Sequence, residues 1–218
     1  MLAVEVRNLS VAYDGHGIIK EFSFTVDSGE TVLLKGPSGC GKSTFLHAVC
    51  GLIPGSIPAE ISGEILIFGQ NIHELSVAER AREIGIVFQN PETQLFCDSV
   101  EDEIAFGLEN LCVPPGKIGR RIDEVLALTG LEQYRRVSPK ELSGGQKQLV
   151  VLAAVLALDP KILLLDEALA QLDDTGRQAL TARLLALQGQ GRTLLMVGHD
   201  DEHKLFSDRV VDLEVQWR

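Results

Sequence analysis

Apolar and β-branched residues come in short runs along the first part of the chain. Val4–Leu9, Phe22–Val26, Thr31–Leu34, Gly63–Phe68 and Ile84–Phe88 each read as a strand. Leu46–Gly51 completes a short helix opened by the glycine-rich stretch before it. Between Asn90 and Pro139 the alternation fades, and Val100–Leu111 and Ile118–Leu128 take helical spacing, separated by the Pro114-Pro115-Gly116 turn. Gln146–Leu158 predicts a long buried helix, stopped by Asp159-Pro160. Ile162–Leu165 and Thr193–Val197 are the apolar runs expected of central parallel strands, with an amphipathic helix, Gly176–Leu187, between them. The pattern predicts an α/β core interrupted by a mainly helical insertion near residues 90 to 142.

Composition narrows the partners. In 218 residues, 45% are hydrophobic and 23% charged, an ordinary soluble balance that fits one domain. A net charge of −11 argues against nucleic acid, whose phosphates are held by clustered Lys and Arg. It does not argue against a membrane partner, because cytoplasmic loops carry excess positive charge. Cys40, Cys50, Cys97 and Cys112 form neither a C-x-x-C pair nor a disulfide framework, which fits a reducing cytosol. No apolar run reaches the roughly 20 residues that span a bilayer, and no signal segment opens the chain. Any membrane part is expected from other chains.

The strand Thr31–Leu34 leads into Gly36-Pro37-Ser38-Gly39-Cys40-Gly41-Lys42-Ser43-Thr44, the G-x-x-x-x-G-K-[ST] pattern in its strand–loop–helix setting. Small residues let successive backbone N–H groups curl around phosphates at a helix N-terminus. Lys42 brings charge to the terminal phosphates and Ser43 a hydroxyl for Mg²⁺. Cys40 is expected to be small filler in this loop. At the carboxyl end of the strand Ile162–Leu165 stand Asp166 and Glu167, where doubly wound sheets bind ligands. Asp166 is expected to orient Mg²⁺ or its water, and Glu167 to polarise the attacking water.

Leu142-Ser143-Gly144-Gly145-Gln146 opens the next helix with free N–H groups and a hydroxyl, a second anion site in the same chain. It resembles the signature motif of ABC ATPases, P-loop NTPases with a RecA-like core, an antiparallel β subdomain and a helical subdomain. The resemblance covers nearly the whole chain as a single domain, 1–218, with residues 1–89 and 143–218 as nucleotide-binding core and 90–142 as helical subdomain. It implies ATP and Mg²⁺ as ligands. Tyr13 takes the position of the adenine-stacking aromatic, and Gln89 that of the Q-loop glutamine that contacts Mg²⁺. Ala170-Gln171-Leu172-Asp173 resembles the D-loop, and His199 the switch histidine that senses the γ-phosphate. His203, close by, is read as solvated surface rather than a metal ligand.

Two departures stand out. Ala168-Leu169 replaces the Pro-Thr or Pro-Ser usual after the acidic pair, and Leu149 stands where an arginine is usual. No catalytic position is missing.

Around the Q-loop, Val87-Phe88-Gln89-Asn90-Pro91-Glu92-Thr93-Gln94-Leu95-Phe96 is similar to the ATPases of energy-coupling factor (ECF) importers, which take up vitamins and transition-metal ions. Arg136-Val137-Ser138-Pro139-Lys140-Glu141-Leu142 supports the same group. The resemblance implies a second ATPase subunit, the same or related, beneath a transmembrane coupling protein and a membrane substrate-binding subunit, at the cytoplasmic face of the membrane. Glu92, Asp98, Glu101, Asp102 and Glu103 are expected to include acceptors for the coupling protein's arginines. The chain ends 19 residues after His199, like the shorter ECF form, whose dimer depends mainly on ATP and the membrane partner. An ordinary ABC importer or exporter ATPase shares the same motifs and stays open. A soluble ABC ATPase of DNA repair is disfavoured by the lack of a long heptad insertion.

Overall fold

The computed structural model describes residues 1–170, 172–198 and 207–213. β1 (Leu2–Tyr13) and β2 (His16–Asp27) form an antiparallel hairpin. Its two-residue turn, Asp14-Gly15, has both φ angles positive, 48° and 75°, matching the right-handed twist of the flanking strands. β4 (Glu60–Ile67) pairs with the other edge of β1, and β5 (Gln70–Asn71) completes the order β2-β1-β4-β5.

The second sheet is parallel, in the order β6-β7-β8-β3-β9. It contains β3 (Thr31–Lys35), β6 (Ile84–Val87), β7 (Ile162–Asp166), β8 (Thr193–Val197) and β9 (Arg209–Asp212). β7 and β8 are buried along their whole length, as their uninterrupted apolar runs require. α1 (Lys42–Val49) follows β3, and α2 (Val77–Glu83) precedes β6. α3 (Val100–Asn110) and α4 (Pro115–Thr129) pack against α5 (Gly144–Ala157), and α6 (Asp174–Gly189) leads to β8.

Two apolar clusters organise the interior. One joins the antiparallel sheet to α1 through Phe22, Phe24 and Phe45, whose rings meet at 5.3 to 5.8 Å. The other gathers α3, α4, α5 and α6 around Ile104, Leu126, Leu152 and Leu184. The parallel sheet lies between the clusters, contributing Leu34 and Leu164 to the first and Leu33 and Leu163 to the second. Alternate side chains of one strand thus serve opposite faces.

The α/β class and its two subsidiary parts match the expectation. α2 and β9 were not legible as elements, and β1 and β2 run longer than their apolar cores. The expected Gln171, His199 and His203 lie outside the described residues.

Candidate nucleotide-binding site

β3 delivers the chain into a tight loop at the carboxyl edge of the sheet. Gly39 and Gly41 take φ of 79° and 98°, a region costly for a side chain, so the loop can curl before α1 begins. A Cβ on Gly36 would stand 2.8 Å from Cys40 Sγ, which shows how closely the loop folds on itself. Gly41 caps α1 without a side-chain hydrogen bond, leaving the helix's first N–H groups for an anion. Lys42 is only 4% exposed and arches back, donating from Nζ to Gly36 O at 2.8 Å and Pro37 O at 3.0 Å.

The acidic pair meets this loop from β7. Ser43 Oγ donates to Asp166 Oδ1 at 2.9 Å. Burial pushes the Asp166 carboxyl above the ordinary carboxylate range, and the Ser43 bond offsets part of that rise. Glu167 turns out of the strand with φ 48°, its N–H donating to Val197 O at 3.0 Å. One of its oxygens lies 3.7 Å from Lys42 Nζ, and the other accepts from Gln89 Nε2 at 3.0 Å. A cavity of about 420 Å³ opens here over Ser38, Gly39 and Gly41 to Thr44, with Gln89 and Glu167 on its side. Ser43 and Asp166 are hard oxygen donors and fit Mg²⁺, which would supply positive charge beside bound phosphates.

The sequence reading missed one lining residue and placed another less directly. Ile18, on β2, forms part of the cavity wall, whereas Tyr13 is half-buried at the hairpin turn and is not among the lining residues. An isoleucine in a strand carries no signal of its own.

Ser143 caps α5 by a reciprocal box: Gln146 N–H donates to Ser143 Oγ, and Ser143 N–H to Gln146 Oε1 at 2.9 Å. Gln146 Nε2 donates to the Tyr134 hydroxyl at 2.8 Å, which fixes the amide's orientation. Gly145 meets Gly176 so closely that a Cβ on Gly145 would lie 2.8 Å from Gly176 Cα. Asp173 caps α6, accepting from Gly176 N–H at 2.8 Å. None of Ser143 to Gln146 lines the phosphate-loop cavity, so the start of α5 lies apart from the start of α1.

Both sequence departures have a packing reason. Leu149 is buried in the helical cluster, where an arginine would lose its hydration, and Ala168 and Leu169 are buried in the same cluster. The turn Ala170 N–H to Glu167 O at 2.9 Å persists.

The acidic stretch divides into engaged and exposed residues. Glu103 is 5% exposed and accepts the N–H groups of Phe96 and Cys97, Glu101 is gripped by Arg135 at 2.9 and 2.7 Å, and Glu92 pairs with Lys147 at 2.6 Å. These three are engaged within the chain. Asp98 and Asp102 remain on the surface, Asp102 accepting from Ser99 Oγ.

The sequence profile described as ABC transporter matches residues 19–170. The chain belongs to the ABC transporter family. Its cassette is an ABC-type ATPase, and the neighbouring folds agree. The chain is 38% identical to an energy-coupling factor transporter ATP-binding protein of Leuconostoc mesenteroides, over 96% of this chain and 76% of that one. It is 40% identical to a putative ABC transporter ATP-binding protein of Methanosarcina mazei, covering 97% of this chain but 37% of that longer protein. Among solved structures, cbiO1 of Clostridium perfringens, part of the ABC transporter complex cbiONQ, superposes with a TM-score of 0.85 at 33% identity. That match covers 97% of this chain and 84% of cbiO1. A dimeric ATP-binding cassette in a post-hydrolysis state, bound to ADP and Pi, gives a TM-score of 0.83 at 26% identity, covering 96% and 93%. Among the described residues, no helix is long and apolar enough to cross a membrane.

Proposed function

We propose that this chain hydrolyses ATP to drive import of a micronutrient, a vitamin or transition-metal ion, through an ECF-type membrane complex. The observation that carries the chemistry is the position of Glu167, bonded to Gln89 and 3.7 Å from Lys42 at the mouth of the phosphate loop. The ECF subgroup is supported by the relatives that bear that name and by the Gln89-Asn90-Pro91 stretch.

Two chains meet head to tail at the cytoplasmic face of the membrane. Gly36 to Thr44 of one chain cradle the phosphates of ATP, with Tyr13 near the base. Ser143, Gly144, Gly145 and Gln146 of the other chain cap the γ-phosphate. Asp173, at the head of α6, faces the same junction. Ser43, Asp166 and Gln89 would hold Mg²⁺. Glu167 accepts a proton from the attacking water, and His199 and Gln89 position that water and report phosphate state. The nucleotide core, 1–89 and 143–218, moves relative to the helical part, 90–142. That motion reaches the coupling protein beside the exposed Phe96 (62%) and Phe106 (45%), whose rings meet edge-on at 4.7 Å.

Purification of the tagged chain from its host's membranes in mild detergent tests the assignment. Recovery with one coupling protein and one small, very hydrophobic binder is the expected result, and the binder would point to the cargo. Recovery with a pair of large permease subunits would instead make it an ordinary ABC transporter ATPase. A chain recovered without membrane partners would remove transport altogether.

A further inference from the structure

Gln148 sits in α5, five residues beyond the cap Ser143, and is wholly buried. Its Nε2 donates to Phe88 O at 2.9 Å, while its Oε1 has no hydrogen-bond partner. An unpaired amide oxygen in an apolar interior is destabilising, and a methionine of similar length would avoid it. The amide's one bond ends on the residue just before Gln89.

Phe88 is clamped from its other side as well. Gln94 Oε1 accepts the Phe88 N–H at 2.8 Å, and Gln94 Nε2 donates to Ile86 O at 3.0 Å. Both polar groups of the Phe88 backbone are therefore held by glutamine side chains, and the next residue reaches Glu167. A second tie, Lys147 Nζ to Glu92 Oε1 at 2.6 Å, joins the same helix to the same loop further out.

We propose that Gln148 is a positioning residue that couples the two nucleotide sites of the dimer. It ties the Gln89 loop, which touches catalytic Glu167 in its own chain, to the helix whose N-terminus caps the phosphate held by the other chain. Ser143 and Gln148 are separated by about 7.5 Å of rigid α-helix. A shift of Gln89 as charge changes at one site therefore passes through Phe88 O to Gln148 and reaches Ser143 at the opposite site. The amide's one hydrogen bond is that tie. The inference rests on the head-to-tail ATPase reading.

The test is phosphate release by the purified full-length chain as MgATP is titrated, for wild type and Gln148→Met, with melting temperature and binding of a fluorescent ADP analogue measured alongside. Wild type is expected to give a sigmoidal rate curve. In Gln148→Met the Hill coefficient should fall to about one and the maximal rate about tenfold, with analogue affinity unchanged because the phosphate loop is untouched. Melting should fall by no more than the loss of one hydrogen bond to Phe88 O, partly offset by removal of the unpaired Gln148 Oε1. Should the methionine fold poorly, Gln148→Leu carries the same expectation with a different shape. A variant that melts normally and keeps both rate and Hill coefficient overturns the coupling role and leaves the ATPase reading standing. A wild-type chain that binds the analogue but never hydrolyses ATP overturns both.

Discussion

Gln89 and Glu167 stand just beyond the ends of adjacent strands, β6 and β7, and are joined by a 3.0 Å hydrogen bond from Nε2 to Oε2. The bond exists because the two parallel strands are in register, with Val87 opposite Leu165. A carboxylate whose lone pairs are aimed by an amide and a nearby ammonium is set to take a proton from one direction.

Glu167→Gln keeps the shape and removes the base. Turnover is expected to fall by about 10²-fold or more, the range for a positioned base, while ATP still binds. Phosphate release and equilibrium nucleotide binding together check it. Near-normal hydrolysis would reassign the proton acceptor.

Asp166 separates stability from function. Burial raises its carboxyl pKa in the folded chain, so the folded state holds the proton more tightly than the unfolded one. Stability then declines as pH rises from the unfolded value to the raised one, and the deficit persists above it. Asp166→Asn should therefore melt no lower than wild type at pH 7 without nucleotide, while MgATP turnover falls by about 10²-fold. Below the carboxylate range the stability difference should vanish. A clearly lower melting point for the variant at pH 7 would contradict the burial argument.

Gly176 lies outside every motif, yet a Cβ there would stand 3.0 Å from Gly145 Cα and 3.0 Å from Asp173 Oδ1. Backbone cannot yield as a side-chain tip can. Gly176→Ala is expected to cost about 1–3 kcal/mol by overpacking. It should also lower hydrolysis by displacing the start of α5. Calorimetry and phosphate release read the two effects, and unchanged values in both would mean the α5–α6 contact is slack.

Arg135 joins α3 to α4 from the loop before the signature, with two bonds to Glu101 and one to Asp123 at 2.5 Å. Exposure of about a third limits its contribution. Arg135→Met should destabilise by about 1–2 kcal/mol, the scale of charge-assisted bonds partly open to water. Thermal melts at low and high salt check this, since screening should narrow the gap.

The sequence made the phosphate loop legible because spacing, strand and helix fall in a row at Thr31–Thr44. The acidic pair was equally plain at the end of an apolar run. Other parts carried weaker signals. α2 has no buried residue and so no apolar period, and its only marker is the Ser76–Glu79 capping box. Positive φ at Asn8 and Glu21, with bulges beside them, broke the alternation that would have shown the full length of β1 and β2. Gln94, Tyr134 and Gln148 act through contacts with residues six to sixty positions away, which no local period reveals, and their residue types are common. Glu103 looked like a surface acid until its carboxylate was found holding two backbone N–H groups.

The phosphate cradle and the Ser143 cap belong to one chain but not to one cavity. In the proposed pairing, each molecule brings half of two sites and completes neither. Free in dilute solution, such a chain should hydrolyse ATP at a rate rising with the square of its own concentration. Gathered in pairs beneath the proposed membrane complex, it would escape that dilution, and assembly itself would be the switch that keeps unemployed copies from wasting ATP.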